Sequence, residues 1–451
     1  MAVFYSALLD GYLNGERTLS DERLSYLVVS TPEGEFNSSD PEHEQEYDFW
    51  LFSTHFLGDG MALHTTANEF FNLLADASPD QITPHNNIEA LLSARGEEAT
   101  QPGAELVVKP EGFAHAMESK LVTPEGWGRM AWAGARVEFN RDQAKLIGGH
   151  AFQRAKLGER KTLVPTAAWD AAQTKKILGN CKTHGATIAT AVFALSNVAY
   201  IRSTPEGLGK GLRDERLPVM LYSALNVRPF LQNEGDWYHI AIGYYNIILP
   251  AFLPKTITPA QAFWHRSLVV RQQTSAVVKS KWMAPRTKLM ALERERRSIG
   301  FEIEDESRRQ AKKAETVAAG LAQAVTGLGI SDSTEPVILP PPVSASVPAP
   351  APAPAPAPPK KVVTPSTALM GLSMLGNLDG MYSHKTMHGL KLHTLTTGSR
   401  QRPGALLLFA YTFAGKFWMS LGYDSHGFAE GTIEAWWDEM LKGVDEFLLE
   451  A

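Results

Sequence analysis

Residues 340–359 read PPPVSASVPAPAPAPAPAPP. Proline lacks a backbone N–H and holds φ near −65°, so this run can join neither a helix interior nor a central strand. Pro and Ala side chains also offer too little apolar surface to build a core. The run is predicted to be extended, semi-rigid and solvated, spanning up to about 60 Å as polyproline II. Whatever folds in this chain must fold from sequence on both sides of it. The plain reading is a spacer in a surface loop. The functional alternative is a docking segment for a partner with an aromatic groove.

The stretch before it, RTKLMALERERRSIGFEIEDESRRQAKKAETVAAGLAQAVTG (286–327), mixes charge signs throughout. Leu289, Leu292 and the Ala-rich end predict a helix with a solvated face. Folded-looking sequence resumes after the Pro-Ala run. The expected organisation is therefore an N-terminal lobe over 1–165 and a C-terminal lobe over 166–451. The second lobe would be interrupted by a disordered charged and Pro-Ala insertion at 286–361.

Elsewhere, strands and helices interleave. Strands are predicted at 25–31, 47–54, 217–228, 240–249, 368–375 and 405–422, where Val, Ile, Tyr, Phe and Trp dominate. Helices are predicted at 61–75, 141–155, 168–183, 187–202, 258–279 and 431–449. The helix at 187–202 is apolar almost all round, which predicts deep burial. This alternation means an α/β or α+β layered fold.

Several classes are disfavoured by composition. Asp and Glu total 49 against 43 Lys and Arg, a net charge of −6, so nucleic acid is not the expected partner. The single cysteine, Cys181, excludes an internal disulfide framework and a zinc site built from several thiolates. No run of about 18 apolar residues predicts a membrane span. The opening MAVFYSALLDGYLNGER does not read as a secretory signal. A soluble, cytoplasmic protein is expected.

The sharpest chemical signal is His55-Phe56-Leu57-Gly58-Asp59-Gly60, between the strand at 47–54 and the helix at 61–75. A histidine at a strand tip beside a glycine-bearing turn is held by rigid backbone yet can face a cleft. Thirteen histidines give about 0.6 accidental HxxxD pairs per chain, and about 0.05 once Gly must follow. Only His55 has Asp four residues later. An imidazole titrates near neutrality, so it can take a proton from a hydroxyl or amine as that group attacks. Asp59 need not touch it. Asp59 is read instead as a residue that pins the turn through a buried ion pair. The candidate partner is Arg228 in LYSALNVRPFL (221–231), the plain alternative being a surface charge at a strand end.

HFLGDG taken with NVRPF resembles the HxxxDG signature of the chloramphenicol-acetyltransferase-like superfamily. That superfamily includes condensation domains, plant BAHD acyltransferases and fungal alcohol or trichothecene O-acetyltransferases. The helix pair at 169–203, LSMLGNLDG (372–380) and the C-terminal strand and helix fall in the order the superfamily shows. The resemblance implies two similar lobes, each a mixed sheet backed by helices, with a tunnel between them. It implies an acyl-CoA co-substrate, acetyl by default, and no bound cofactor or metal. His55 would be the general base, with Asp59 paired to Arg228 and Gly60 completing the turn. Thr54, Asn226, Ser373 and Asn377 would lie near the tunnel.

Condensation domains usually carry two consecutive histidines, whereas Thr54 stands before His55. The DFGWG segment of BAHD enzymes is absent, and YDSHGF (423–428) is not it. The implied activity is that of a free-standing, fungal-type O-acyltransferase. It would act as a monomer on a small, terpenoid-like secondary metabolite. The alternatives are a non-catalytic scaffold of the same fold and an amide-forming relative.

Overall fold

The computed structural model describes residues 2–20, 22–31, 46–76, 116–122, 127–209, 211–231, 239–327, 365–387 and 389–450. The Pro-Ala run lies outside the described residues, as does His388. Contacts divide the chain into two units: Met1–Met290 with Pro365–Ala451, and Ala291–Thr364.

The first unit opens with helix α1 (Ala2–Asn14), which sequence patterning did not anticipate. Strands β1 (Ser25–Ser30) and β2 (Asp48–Ser53) then form an antiparallel pair, with Leu27 opposite Leu51 and Val28 opposite Trp50. Phe52 is the buried residue of β2, with Tyr12 and Tyr26 rings at 4.2 and 4.9 Å. Helix α2 (Gly60–Asp76) follows six residues after the strand. Further on lie the single turn α3 (Met117–Lys120) and helix α4 (Arg129–Lys145).

The second half of the unit is built on a seven-stranded mixed sheet. Its strands are β3 (Thr162–Leu163), β4 (Thr166–Trp169), β5 (Val219–Asn226), β6 (Ile242–Leu249), β7 (Met370–Asn377), β8 (Leu406–Phe413) and β9 (Lys416–Asp424). The order is β3-β9-β8-β7-β5-β6, with β4 also paired to β9. The pairs β5–β7 and β7–β8 are parallel and the remainder antiparallel. β8 and β9 are tightly joined by Ala414 and Gly415, with φ of 52° and 70°. Two successive left-handed residues match the twist of a two-residue hairpin. Both carboxylate oxygens of Asp379 brace that turn, accepting from the Ala414 and Gly415 N–H groups at 2.6 and 3.0 Å.

Helices α5 (Ala171–Thr183), α6 (Ile188–Ser203), α7 (Pro259–Val278) and α9 (Thr432–Gly443) form the layer that packs with this sheet; α8 (Met283–Gly327) lies between α7 and α9 in sequence. α5 and α6 begin with reciprocal capping boxes, Asp170 with Gln173 and Thr187 with Thr190. Every residue of α6 from Thr190 to Ile201 is buried, as its all-round apolar sequence requires. Its polar atoms are satisfied within the core. Asn197 donates to the Pro250 carbonyl and accepts from Arg266, and Trp436 of α9 donates to the Ser196 carbonyl. Among the described residues, no single helix is long and apolar enough to cross a membrane. The α5–α6 pair passes that composition test only across a 90° bend.

Three sequence expectations need correction. Helix 141–155 is displaced: α4 ends at Lys145, and the following residues are not helical. There Gly148 bridges Ser366, and Arg154 bridges Phe428. A side chain at Gly148 would sit 2.1 Å from the Thr367 carbonyl oxygen, so the pairing requires glycine, which also stops the helix. The strand at 405–422 is two strands, because the Ala414–Gly415 turn reverses the chain. The helix placed at 168–183 starts at Ala171, since Thr166–Trp169 pairs with β9.

Candidate active site

β2 delivers the HFLGDG segment. Thr54 ends the strand by donating both its N–H and its hydroxyl to the Leu24 carbonyl, at 2.8 and 3.2 Å. That ties Thr54 to the chain entering β1. A turn over His55, Phe56 and Leu57 follows, closed by the Leu57 N–H to the Thr54 carbonyl at 3.2 Å. His55 and Phe56 project into solvent. Among the described residues, no hydrogen bond or ion pair reaches the His55 ring.

Asp59 behaves in the opposite way. It is 2% exposed and all its acceptor capacity is directed inward. Its Oδ1 accepts from the Ala62 N–H at 3.1 Å, and its carbonyl takes the first helical bond from Leu63 at 3.0 Å. Asp59 is therefore the N-cap of α2, where a negative charge also meets the positive end of the helix dipole. Its Oδ2 accepts from Arg228 Nη1 at 2.8 Å and from the Ala241 N–H at 2.8 Å. Arg228 stands two residues beyond β5, and its Nη2 donates to the His239 carbonyl at 2.6 Å. Val227 and Ala241 are joined by a backbone bond of 3.0 Å. One buried carboxylate thus fastens the start of α2 to the end of β5 and the approach to β6. With its oxygens occupied in this way, Asp59 does not serve as the hydrogen-bond partner of His55.

Gly60 marks another close approach. A Cβ there would lie 2.9 Å from Leu375 Cδ2. Leu375 stands at an irregularity in β7, where the register with β8 shifts between Met374 and Gly376. Gly376 has φ of 79°, a left-handed conformation that glycine adopts without strain. The bulge turns the end of β7 toward the start of α2.

The remaining candidates lie on the ends of the parallel strands. Asn226 and Asn377 occupy the exposed ends of β5 and β7. Asn226 Oδ1 accepts from the Arg228 N–H at 3.1 Å, so it shapes the turn carrying the arginine. Asn377 Oδ1 accepts from the Thr412 hydroxyl at 3.1 Å. Ser373 is half-buried in β7, opposite Phe409 of β8. The structure therefore brings Asp59, Gly60, Arg228 and Asn226 into one bonded cluster around the α2 start. Thr54 is bonded to Leu24, and Asn377 to β8.

Sequence reasoning missed two partners of this cluster, the Ala241 N–H and the His239 carbonyl. Both are backbone groups, for which no side-chain type could have signalled. His64, one turn into α2, is also more deeply committed than its sequence indicated. It is buried, its Nδ1 lies 3.0 Å from the Tyr382 hydroxyl, and burial pushes its imidazole down to about 4. Desolvation raises the Tyr382 phenol. This is a neutral pair between α2 and the segment after β7, supported by the Asn68 side-chain oxygen accepting from the Ser383 N–H at 2.8 Å. His384 lies in a turn with its Nε2 3.1 Å from Asp379 Oδ1. Among the described residues, no group of three or more His, Cys, Asp or Glu is placed to hold a metal ion.

The sequence matches no protein-family model and no curated protein. The fold does match solved structures. TRI3 trichothecene 15-O-acetyltransferase from Fusarium sporotrichioides superposes with a TM-score of 0.62 at 10% identity, over 99% of this chain and 74% of that one. The epimerization domain from the third module of tyrocidine synthetase B gives 0.43 at 13% identity, over 89% and 70%. The first condensation domain of the CDA synthetase gives 0.42 at 11%, over 95% and 67%. The likeness to the O-acetyltransferase shows the fold, a mixed α/β architecture of the chloramphenicol-acetyltransferase-like kind.

Proposed function

We propose that this protein is an acyltransferase that moves an acyl group from a coenzyme A thioester to a hydroxyl of a small acceptor. The observation that carries the reading is the division of labour within HFLGDG. Asp59 is consumed by structure, while His55, four residues earlier, stands accessible at the tip of a strand. An imidazole left open beside so rigid a support suits a general base.

In this mechanism the His55 ring accepts the acceptor's hydroxyl proton as the oxygen attacks the thioester carbonyl carbon. The tetrahedral intermediate then collapses, the C–S bond breaks, and the leaving sulfur takes the proton from the imidazolium, giving free thiol and restoring the neutral imidazole. No acyl-enzyme forms. Donor and acceptor enter from opposite mouths of a tunnel between two lobes. Asn226, Ser373 and Asn377 supply polar contacts to the oxyanion or the acceptor. Acetyl is the default donor, and a terpenoid-like alcohol is the acceptor class.

The test is release of free thiol from a panel of acyl-CoA donors and hydroxylated acceptors, with wild type beside His55→Ala. Acceptor-dependent thiol release that falls about 10²-fold in the variant supports the base. Equal rates in the two proteins would exclude it. A non-catalytic reading draws on the same ring, because no described group orients His55. Wild-type protein that binds an acyl-CoA donor without releasing thiol to any alcohol or amine would decide for that reading.

A further inference from the structure

The C-terminal end of α1 lies against the edge strand β3, and three arginines from distant parts of the chain meet there. Asn14 makes the join. Its Oδ1 accepts from the Thr162 N–H at 2.6 Å, and its Nδ2 donates to the Thr162 carbonyl at 2.9 Å. Arg160 Nη1 donates to the Thr162 hydroxyl at 2.7 Å and reaches Asn14 Oδ1 at 3.5 Å. Arg400 Nη2 donates to the Gly15 carbonyl at 2.7 Å. Arg17 stands two residues further on, and its charge acts on both of the others.

A guanidinium carries five N–H donors. Arg160 and Arg400, both half-buried, each use one terminal nitrogen on this frame. The other terminal nitrogen and Nε of each have no partner among the described residues. Nor does the exposed Arg17 side chain. Among the described residues, no salt bridge joins any of the three to a carboxylate. Asp424, whose charge acts on Arg160, is 2% exposed and committed to backbone. Its Oδ1 accepts from the Lys161 and His426 N–H groups at 2.9 and 3.2 Å, and its Oδ2 from the Gly404 N–H at 2.7 Å. Asp10 accepts from Asn14 Nδ2 at 2.9 Å.

The end of α1 accounts for one cation and not three, since a helix dipole offers about half a negative charge there. Burial, and then the charges of Arg160 and Arg17, hold Arg400 below the ordinary guanidinium range. Arg160 is lowered as well, by burial and by Arg17 against the pull of Asp424. Like charges fixed by neutral hydrogen bonds, with donors to spare, are complementary to an anion of more than one charge. A phosphate group brings about −1.5 to −2 at neutral pH and several acceptor oxygens. Guanidinium forks match that geometry. A single carboxylate would answer only one of the three cations.

We propose that Arg17, Arg160 and Arg400 bind a phosphate group. The cluster is also connected to the candidate active site. The Thr18 hydroxyl lies 2.7 Å from the Tyr26 hydroxyl, and Tyr26 pairs across the strands with Phe52. His55 follows Phe52 by three residues, about 10 Å of extended chain. A coenzyme A donor carries its phosphates at the end away from its thioester, so phosphates held here leave the arm to cross toward His55. The phosphate site stands on the arginines alone; its assignment to the donor rests on the acyltransferase reading.

Calorimetric titration of the full chain at low salt, with inorganic phosphate and with coenzyme A, tests this. Wild type should bind both probes, each displacing the other. Arg17→Gln, Arg160→Gln and Arg400→Gln should each weaken binding at least about tenfold, through loss of charge-assisted hydrogen bonds. Arg17 is exposed, so its variant keeps the fold even where the other two disturb it. Arg216→Gln, an exposed cation paired to Asp214 four strands across the sheet order from β3, should bind as wild type does. Coenzyme A weakened by the variants and displaced by phosphate supports the donor as the source. Phosphate binding that the variants weaken, with coenzyme A unaffected, supports the site and assigns it to a free phosphate ligand. Wild type that binds neither probe at millimolar concentration overturns the proposal. So do variants that bind as wild type does, or an equal loss in Arg216→Gln. Thiol release by wild type is read separately, so failure of the phosphate site and failure of the acyltransferase reading are told apart.

Discussion

The Asp59 carboxylate and the Arg228 guanidinium meet at 2.8 Å, although 169 residues separate them in the chain. The same carboxylate oxygen takes the Ala241 N–H at 2.8 Å. A charge that is 2% exposed tolerates its burial only because a cation and two backbone donors face it. Asp59 thus acts on the site by holding α2 against the ends of β5 and β6. Among the described residues, His55 is held only by the backbone that Asp59 and Thr54 anchor on either side.

Asp59→Asn keeps the shape and removes the charge. It should destabilise the protein by about 2–4 kcal/mol, because Arg228 is left facing a neutral group in a partly buried site. Urea unfolding at neutral pH measures it. A midpoint equal to wild type would mean that the ion pair adds nothing.

His55→Ala should leave stability within about 0.5 kcal/mol of wild type, since the ring is exposed and unbonded among the described residues. The contrast with Asp59→Asn is the informative quantity. Stability should separate the two variants even where both lose turnover.

Burial lowers the His64 imidazole to about 4, below its ordinary value near 6.5. A lowered histidine contributes stability that is fully present above 6.5. That contribution is lost as pH falls toward 4, because the unfolded chain binds the proton first. The loss should approach about 3 kcal/mol. Unfolding free energy measured from neutral pH down through this window should fall less steeply for His64→Asn than for wild type. Parallel curves would show that the His64–Tyr382 pair does not titrate on unfolding.

Gly60→Val would press its side chain against Leu375, whose Cδ2 lies 2.9 Å from where a Cβ would stand. The expected cost is about 1–3 kcal/mol. Leu375→Ala in the same chain should recover most of it, giving a coupling energy in a double-mutant cycle. Strict additivity would place the strain elsewhere.

Much of this was legible from local pattern. The strands at 25–31, 47–54 and 240–249 and the helices at 187–202 and 258–279 appear within two residues of expectation, because each carries its own period and caps. The errors were local conflicts in which a contact with distant chain prevailed. Residues 146–155 have helical composition, but Gly148 pairs with Ser366. Ala168 and Trp169 looked like the start of a helix and instead pair with β9. α1 carried too weak an amphipathic signal to be identified.

By itself the sequence determined that a histidine would end a strand, that an aspartate would begin a helix, and that a glycine would stand between them and another just after. These are choices made within a few residues by strand period, capping and turn chemistry. Only the tertiary structure decided what the aspartate holds. Arg228 was the named candidate, with a surface charge at a strand end as its alternative, and the Ala241 N–H had no signature at all, because every residue but proline carries the same backbone donor. A group's partner across 182 residues depends on the path of the whole chain, here on β5 and β6 being brought beside α2.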